Sequence, residues 1–449
     1  MAKINLFFIL LTVISTSVTS SLIATNSEII VTNFIEKDHT LEKGIYIIEN
    51  NVKVSKNATL TVKSGCKLYF RKGASLKIDG GLILEGKPNN LIELTSEDKE
   101  NEGFGIVISG STKDKVIIIN YTKFSYLLVP LNFEKNWVRK KINIEDNVFE
   151  NIITGEKSII IRCPDEITSR DTIEFNFSKN NFIQNNSSIF IENIESNLLN
   201  LQFRYNLITQ NYFFGFEVGS SLNAPVSTTY NKNDQAFLAD FSGNSIFNNF
   251  LLHSSNDTVI QEVNFGIQGR AEKYSLNDNY FGNKNIPQIQ KTFDHFSNHQ
   301  FSPFVFIDTA LQVPSDSVHG HIWKISINNN ELVPKNFLPL LTEQKLEIQI
   351  SYNRSLIVRE GINYITYSFF DKIDNELKTK SLSCALKLNK ENKSISFISK
   401  DEVYIKNPNG YFSINGLTDN DGFRVPKVYI GKEQFKVFLI NNNIKINLE

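Results

Sequence analysis

Apolar and polar residues alternate in a single phase through six short segments between Val52 and Leu94. Side chains alternate faces along a β-strand, so each segment would turn one face towards a core. The apolar pairs recur after 8, 8, 8, 6 and 10 residues, with turn residues such as Ser64-Gly65 and Asp79-Gly80 between them. This near-constant step predicts a solenoid in which three short strands make one coil. The pairs are Val52 and Val54, Leu60 and Val62, Leu68 and Phe70, Leu76 and Ile78, Leu82 and Leu84, and Ile92 and Leu94.

A second repeat follows, in which Asn is followed two residues later by Phe or Ile and four residues later, in most copies, by Asn or Gln. Equivalent positions in a coil of parallel strands stack about 4.8 Å apart, so stacked Asn side chains can form an amide ladder. A role for these residues as sugar ligands is an alternative, but the ladder is favoured because the repeat places the amides at corners of the fold. The predicted ladder residues are Asn147, Asn181, Asn206, Asn244 and Asn279.

The first twenty residues have the pattern of a secretory signal peptide. Lys3 precedes an apolar core from Leu6 to Ile14, and Val18-Thr19-Ser20 suits cleavage after Ser20. No later segment is apolar enough to cross a bilayer, so we expect no transmembrane span after signal removal. The predicted location is therefore secreted, extracellular or at the cell surface.

The charges of the chain are balanced, with 47 Lys and Arg against 48 Asp and Glu, for a net charge of -1. A protein that binds the phosphate backbone of a nucleic acid usually carries a basic surface. The balanced charge does not indicate such a surface, so we expect no nucleic-acid partner.

Two further segments define the rest of the chain. Asn285 and Pro287 suit a helix start, and apolar spacing predicts a capping helix near 286–296 that closes the solenoid. Residues 310–449 contain several alternating strands and turn signals, which predict a β-sandwich as a separate domain.

Residues 44–305 resemble bacterial exported right-handed parallel β-helix proteins. The resemblance rests on the segments from Ala58 to Gly65, Gly81 to Gly86 and Ile92 to Ser96, and on the closing stretch from Asn279 to Phe304. It implies an all-β chain with a right-handed parallel β-helix, a three-sided solenoid of the pectin lyase-like type, over residues 21–305. That superfamily includes lyases, hydrolases and adhesins, so the resemblance indicates fold more than activity.

Tyr352-Asn353-Arg354 and the stretch from Leu417 to Pro426 resemble bacterial Ig-like domains of surface proteins. The resemblance implies an Ig-like β-sandwich at 310–449 that acts as a spacer or binding module, with other surface proteins as partners.

The catalytic candidates are few. A lyase needs a base and a cation, often Ca²⁺, and a hydrolase needs two carboxylates. Asp234, Asp240 and Arg204 are the candidates, but they form no recognised catalytic motif, and solvated loop charges are the favoured interpretation. No cofactor is expected, and Ca²⁺ is expected only under the lyase hypothesis.

No metal site is predicted either. His319-Gly320-His321 puts two imidazoles on one strand face without an evident third ligand. The segment from Asp419 to Gly422 begins like a Ca²⁺ loop, but Ile430 stands where such a loop needs Glu, so a tight turn is favoured.

Three functions follow from these features. The favoured one is a secreted or cell-surface, non-catalytic protein for adhesion or glycan binding, with Tyr212, Phe213 and Phe214 as candidates for stacking on sugar rings. The alternatives are a polysaccharide lyase or glycoside hydrolase, and a structural spacer of a surface assembly. A groove lined with carboxylates would favour an enzyme, whereas a smooth face of Asn, Ser and Thr would favour binding.

Overall fold

The computed structural model describes most of the chain between residues 28 and 425. The described residues are 28–99, 103–152, 157–162, 173–185, 188–192, 199–214, 226–229, 239–252, 260–262, 264–268, 273–282, 284–294, 304–331, 344–358, 364–371, 376–388, 393–403, 411–413, 417–423 and 425. The predicted signal peptide and Asp234 lie outside these ranges. Among the described residues, no helix has the length and apolar character needed to cross a membrane.

Short strands with one helix make up the described part of the chain as far as residue 306. In chain order the elements are β1 (Ile29–Ile30), β2 (Phe34–Ile35), β3 (His39–Leu41), β4 (Ile45–Ile48), β5 (Val52–Val54), β6 (Thr59–Lys63), β7 (Lys67–Phe70), β8 (Ser75–Ile78), β9 (Gly81–Glu85), β10 (Ile92–Ser96), β11 (Gly105–Ile108), β12 (Ile117–Asn120), β13 (Thr122–Ser125), β14 (Leu131–Phe133), β15 (Lys141–Glu145), β16 (Val148–Glu150), β17 (Lys157–Arg162), β18 (Ile173–Ser178), β19 (Asn181–Ile183), β20 (Ser188–Glu192), β21 (Leu199–Arg204), β22 (Leu207–Thr209), β23 (Tyr212–Phe214), β24 (Val226–Thr229), β25 (Ala239–Ser242), β26 (Ser245–Phe247), β27 (Phe250–Leu252), β28 (Ile260–Glu262), β29 (Phe265–Gln268), β30 (Lys273–Ser275), α1 (Ile286–Gln290), β31 (Phe293–Asp294) and β32 (Phe304–Phe306).

Most of these strands belong to three parallel sheets, consistent with a parallel β-helix. Sheet A joins β1, β4, β7, β10, β13, β16, β19, β22 and β26; sheet B joins β2, β5, β8, β11, β14, β17, β20, β24, β29 and β31; sheet C joins β3, β6, β9, β12, β15, β18, β21 and β25. From β1 to β22 successive strands visit the three sheets in turn, so each of these coils adds one strand to each sheet. We call this part of the chain the solenoid.

The alternation in the sequence is confirmed by burial. Every apolar residue of the six pairs between Val52 and Leu94 is at most 1 % exposed. Register explains the pattern, because Leu60 pairs with Leu82 and Leu82 with Ile117, which stacks the apolar side chains of successive coils inside the solenoid. Aromatic residues continue the stack further on: Phe124, Phe149 and Phe182 lie face to face with ring centroids 4.7 Å apart at each step.

Buried Asn side chains form a ladder where each coil passes from sheet C to sheet A. In each link the Nδ2 of one Asn donates to the Oδ1 of the Asn in the next coil, at 2.9–3.2 Å. Each Nδ2 also donates to a backbone carbonyl of the previous coil, and each Oδ1 also accepts a backbone N–H. The ladder residues are Asn147, Asn180, Asn206, Asn244 and Asn279.

The prediction of Asn181 as a ladder residue was therefore wrong by one position. Phe182 is in register with Phe149 and Ile208, so the ladder Asn of this coil has to stand two residues before Phe182, at Asn180. Asn181 is buried on the outer side of sheet A, and its Oδ1 accepts no hydrogen bond. With the phase corrected, the ladder residues are 33, 26, 38 and 35 residues apart.

A second, shorter amide ladder follows strands β19, β22 and β26 of sheet A, five residues after the first, and ends at Asn264. Asn211 donates to Asn249, and Asn249 donates to Asn264, through Nδ2–Oδ1 hydrogen bonds of 2.9 and 3.0 Å. Asn185 joins it by donating its backbone N–H to Asn211. The residues directly before the ladder positions have left-handed backbone, for example Lys179 (φ 53°) and Gln184 (φ 57°). The unfavourable left-handed conformation at each corner is thus adopted by the residue before the ladder Asn, and not by the ladder Asn itself.

The predicted capping helix is shorter than 286–296. Asn285 forms a capping box with Gln288, as the start signal indicates, but α1 ends at Gln290. Thr292 then donates both its hydroxyl and its N–H to the carbonyl of Ile289, and Phe293 enters β31, which pairs with β29. At Phe293 the backbone forms hydrogen bonds with the edge of sheet B instead of continuing the helix. This tertiary contact outweighs the helical preference that the apolar spacing indicates.

The rest of the chain is antiparallel. Its strands are β33 (Ile322–Ile327), β34 (Asn330–Glu331), β35 (Gln344–Tyr352), β36 (Leu356–Val358), β37 (Tyr364–Asp371), β38 (Glu376–Leu388), β39 (Ser394–Val403), β40 (Tyr411–Ser413) and β41 (Leu417–Asp419). Seven form one sheet in the order β34-β33-β35-β39-β38-β37-β40, and β36 pairs with β41. We call the described residues 318–425 the C-terminal region.

The C-terminal region packs on the outer side of sheet A. Leu207, Phe247 and Tyr280 point outwards from their coils, yet each is at most 6 % exposed because they cluster with Val318. Trp323 lies edge-on to Tyr280, with ring centroids 6.4 Å apart. This contact covers the outer side of sheet A and leaves the outer sides of sheets B and C as candidates for an external ligand.

Candidate functional site

Polar side chains form a row along the outer side of sheet C. Asn143, Asn176, Gln202 and Asp240 are in register on four adjacent strands. Neighbouring parallel strands are about 4.8 Å apart, so the row presents one polar group per coil at that spacing. We call these four residues the polar row.

Hydrogen bonds within the row orient its amides. Asn176 Nδ2 donates to Asn143 Oδ1 at 2.5 Å, and Asn143 Nδ2 donates to Asn120 Oδ1 at 3.2 Å. An amide nitrogen has two hydrogens and an amide oxygen two lone pairs, so each of these groups keeps capacity for a further bond. The two bonds fix the amides of Asn143 and Asn176 before a ligand arrives, which lowers the entropic cost of binding.

Charged residues beside the polar row are paired. Lys179 Nζ lies 2.9 Å from Glu145 Oε1, and this hydrogen bond raises the pKa of Lys179. Arg204 forms an ion pair with Asp240, which also accepts a 2.6 Å hydrogen bond from Ser242. These four charges therefore compensate one another, and the amides of the row keep capacity for hydrogen bonds.

The structure brings together two of the three catalytic candidates, Arg204 and Asp240. Burial alone would raise the pKa of Asp240, but the hydrogen bonds from Arg204 and Ser242 outweigh it, so the pKa lies below its usual value. An ionised carboxylate tied to a guanidinium is a poor general acid, which needs a raised pKa. Asp234, the third candidate, lies outside the described residues.

Tyr212, Phe213 and Phe214, the predicted sugar-stacking residues, form β23. Its backbone pairs with β27 in a small sheet beside the solenoid. Their side chains lie outside the described part of the structure, so their role in stacking stays a prediction.

A second cluster of polar residues joins the solenoid to the C-terminal region. His319 Nδ1 lies 3.2 Å from Asp419 Oδ2, and His319 Nε2 lies 3.2 Å from Asp146 Oδ1. Asp146 directly precedes the ladder residue Asn147, and all three charged side chains are buried. The sequence drew attention to His319 and to the turn at Asp419, but nothing in it connected residues 100 positions apart.

Among the described residues, His319, Asp419 and Asp421 come nearest to the spacing of a metal site. Arg354, however, already places a cation there: its guanidinium is 2.7 Å from Asp421 and 3.7 Å from Asp419. A metal ion at this point would meet the guanidinium's charge, so we interpret the group as a hydrogen-bonded charge cluster.

Comparisons with protein-family models, with curated proteins and with solved structures find no match for this chain.

Proposed function

We propose that this protein is an exported, non-catalytic binding protein that holds an extended, neutral polysaccharide against the polar row of sheet C. The observation that carries the proposal is the ordered series of amides on adjacent coils. The hydroxyl groups of a sugar chain both donate and accept hydrogen bonds, and amides match them in both respects. Two cations on this face, Lys179 and Arg204, are already paired with carboxylates, which favours a neutral polymer over a uronate.

The rest of the proposal follows from the sequence. The signal-peptide pattern supports export to the surface or the medium, and the solenoid supports a right-handed β-helix related to bacterial exported proteins. We further propose that the C-terminal region is an Ig-like module. Its packing on sheet A supports a fixed position beside the solenoid, where it would leave sheet C open to the ligand.

The polar row can be tested by affinity electrophoresis of purified residues 21–449 in gels containing hydroxyethylcellulose, mannan, polygalacturonate or alginate. We expect retardation by a neutral polymer and not by the uronates. Gln202→Ala should weaken binding by about fivefold and the double variant with Asn176→Ala by about thirtyfold, because each lost hydrogen bond contributes about 1 kcal/mol. Asn132→Ala is the matched control, since Asn132 faces outwards on sheet B and bonds only Arg162 among the described contacts.

Each outcome separates the candidate functions. Retardation that persists unchanged in the double variant would remove the polar row from the proposal. Unsaturated products or new reducing ends that disappear in Asp240→Ala or Arg204→Ala would establish a lyase or hydrolase instead. Binding to uronates alone would contradict the neutral ligand, and no binding to any polymer would favour the spacer.

A further inference from the structure

His319 lies at the centre of the contact between the solenoid and the C-terminal region. Asp146 approaches it from the solenoid and Asp419 from β41, one at each ring nitrogen. The Phe423 ring covers the imidazole, with centroids 3.8 Å apart, and Tyr121 of the solenoid stacks on Phe423 at 5.8 Å. One imidazole therefore connects two parts of the chain that the sequence separates widely.

The geometry requires His319 to carry two protons. An ionised carboxylate can only accept a hydrogen bond, so a ring nitrogen that faces one must donate. The contact to Asp146 has the distance but not the alignment of a hydrogen bond, but the attraction between opposite charges does not depend on that alignment. A neutral ring would point a lone pair at one of the two carboxylates.

The neighbouring groups keep Asp419 ionised. Asp419 is fully buried and accepts backbone N–H bonds from Gly320, Asp421 and Phe423. Burial alone would raise the pKa of Asp419, but the hydrogen bonds from His319 and from these amides hold it below its usual value. Tyr121 hydrogen-bonds Asp146, and burial followed by the charge of Asp146 raises the pKa of Tyr121, so this phenol stays neutral.

The other titratable neighbours do not take over the role of His319. His321 donates Nδ1–H to the carbonyl of His319 at 2.8 Å, and burial lowers its pKa to about 4, so it is neutral at physiological pH. The two cations nearby are already paired, Arg354 with Asp421 and Lys179 with Glu145.

We propose that His319 is a proton-controlled latch: its imidazolium holds the C-terminal region against the solenoid, and loss of the proton to solvent loosens that contact. Burial alone would lower the pKa of His319, but Asp146 and Asp419 outweigh it, so the folded-state pKa lies above 6.5. A raised pKa means that the stabilisation is fully present below about pH 6.5 and is lost as pH rises through the folded value. The latch is therefore closed in mildly acidic solution and opens towards alkaline pH.

Hydrogen exchange measured by mass spectrometry on the full chain tests the latch. After correction for intrinsic exchange, protection of residues 319–323 and 417–423 should fall about tenfold or more between pH 6 and pH 9. Residues 76–85 in the solenoid core serve as the internal reference and should not change. His319→Gln should show low protection at both pH values, whereas His39→Gln, at an exposed histidine on β3, should behave as the wild type.

Two results would overturn the proposal: protection in the wild type that does not change with pH, or a His319→Gln variant that keeps the wild-type profile. Asp146→Asn is the second variant and provides the test if His319→Gln does not fold. It removes only the solenoid's carboxylate charge, so the loss of protection should begin at lower pH. An unchanged midpoint in Asp146→Asn would show that the solenoid takes no part in the latch.

Discussion

Replacing Asn206 by leucine is expected to lower the free energy of unfolding by about 3–5 kcal/mol, because it leaves several buried polar groups of the ladder without partners. Asn206 accepts from the backbone N–H and the Nδ2 of Asn180, and donates to Asn244 Oδ1 and to the carbonyl of Phe177. Leucine has a similar volume but can make none of these bonds. The change should appear as a lower urea midpoint, followed by circular dichroism.

Asn181→Leu is the matched control for this prediction. Asn181 is in the adjacent coil and is equally buried, but its Oδ1 accepts no hydrogen bond and it is in register with the apolar residues Val148 and Leu207. We expect a change of less than about 1 kcal/mol, or a small gain. Equal losses in the two variants would mean that volume, and not the ladder, determines stability at this corner.

Arg139→Leu is expected to have a comparable effect, about 3–5 kcal/mol, for a different reason. The Arg139 guanidinium is fully buried and donates to the carbonyls of Asp79, Gly80, Ser109 and Gly110. These carbonyls belong to corners of two successive coils, so one side chain satisfies both. Burial lowers the pKa of Arg139 to about 10, which leaves it protonated at neutral pH.

Arg71→Met provides the comparison for Arg139→Leu. Arg71 is also an arginine of the solenoid, but it is 45 % exposed and pairs with Glu49 and Glu97 at the surface. Such pairs contribute about 0–1 kcal/mol, so the urea midpoint of this variant should stay close to that of the wild type. A small effect of Arg139→Leu would instead mean that water reaches the four carbonyls once the guanidinium is gone.

The position of the C-terminal region changes which face of the solenoid can bind a ligand. The outer side of sheet A would otherwise present Leu207, Phe247 and Tyr280 to solvent. With that side covered, the outer sides of sheets B and C remain for an extended ligand, and the polar row places amides on sheet C. The proposed latch meets the solenoid at Asp146, on the corner after β15, whereas the proposed polysaccharide site lies on the strands of sheet C.

The spacing of the Asn repeat predicts that a ladder exists, but it does not decide between Asn180 and Asn181 as the ladder residue. Asn180 and Asn181 are adjacent, and both fit a spacing of one Asn per coil. Only the alignment of Phe182 with Phe149 and Ile208 across coils selects Asn180. The helix predicted near 286–296 was too long for a similar reason, because apolar spacing does not reveal that Phe293 pairs with a distant strand.

The sequence by itself determined the features that repeat with a short period: the parallel all-β solenoid, its buried apolar pairs and the presence of an amide ladder. Each of these depends on neighbours a few residues away or on the next coil, so local spacing contains the information. The tertiary structure alone decided the register of the ladder, the covering of sheet A, the polar row and the meeting of Asp146, His319 and Asp419. Those contacts join residues far apart in the chain, and their energies arise from burial and charge that exist only once the chain is folded.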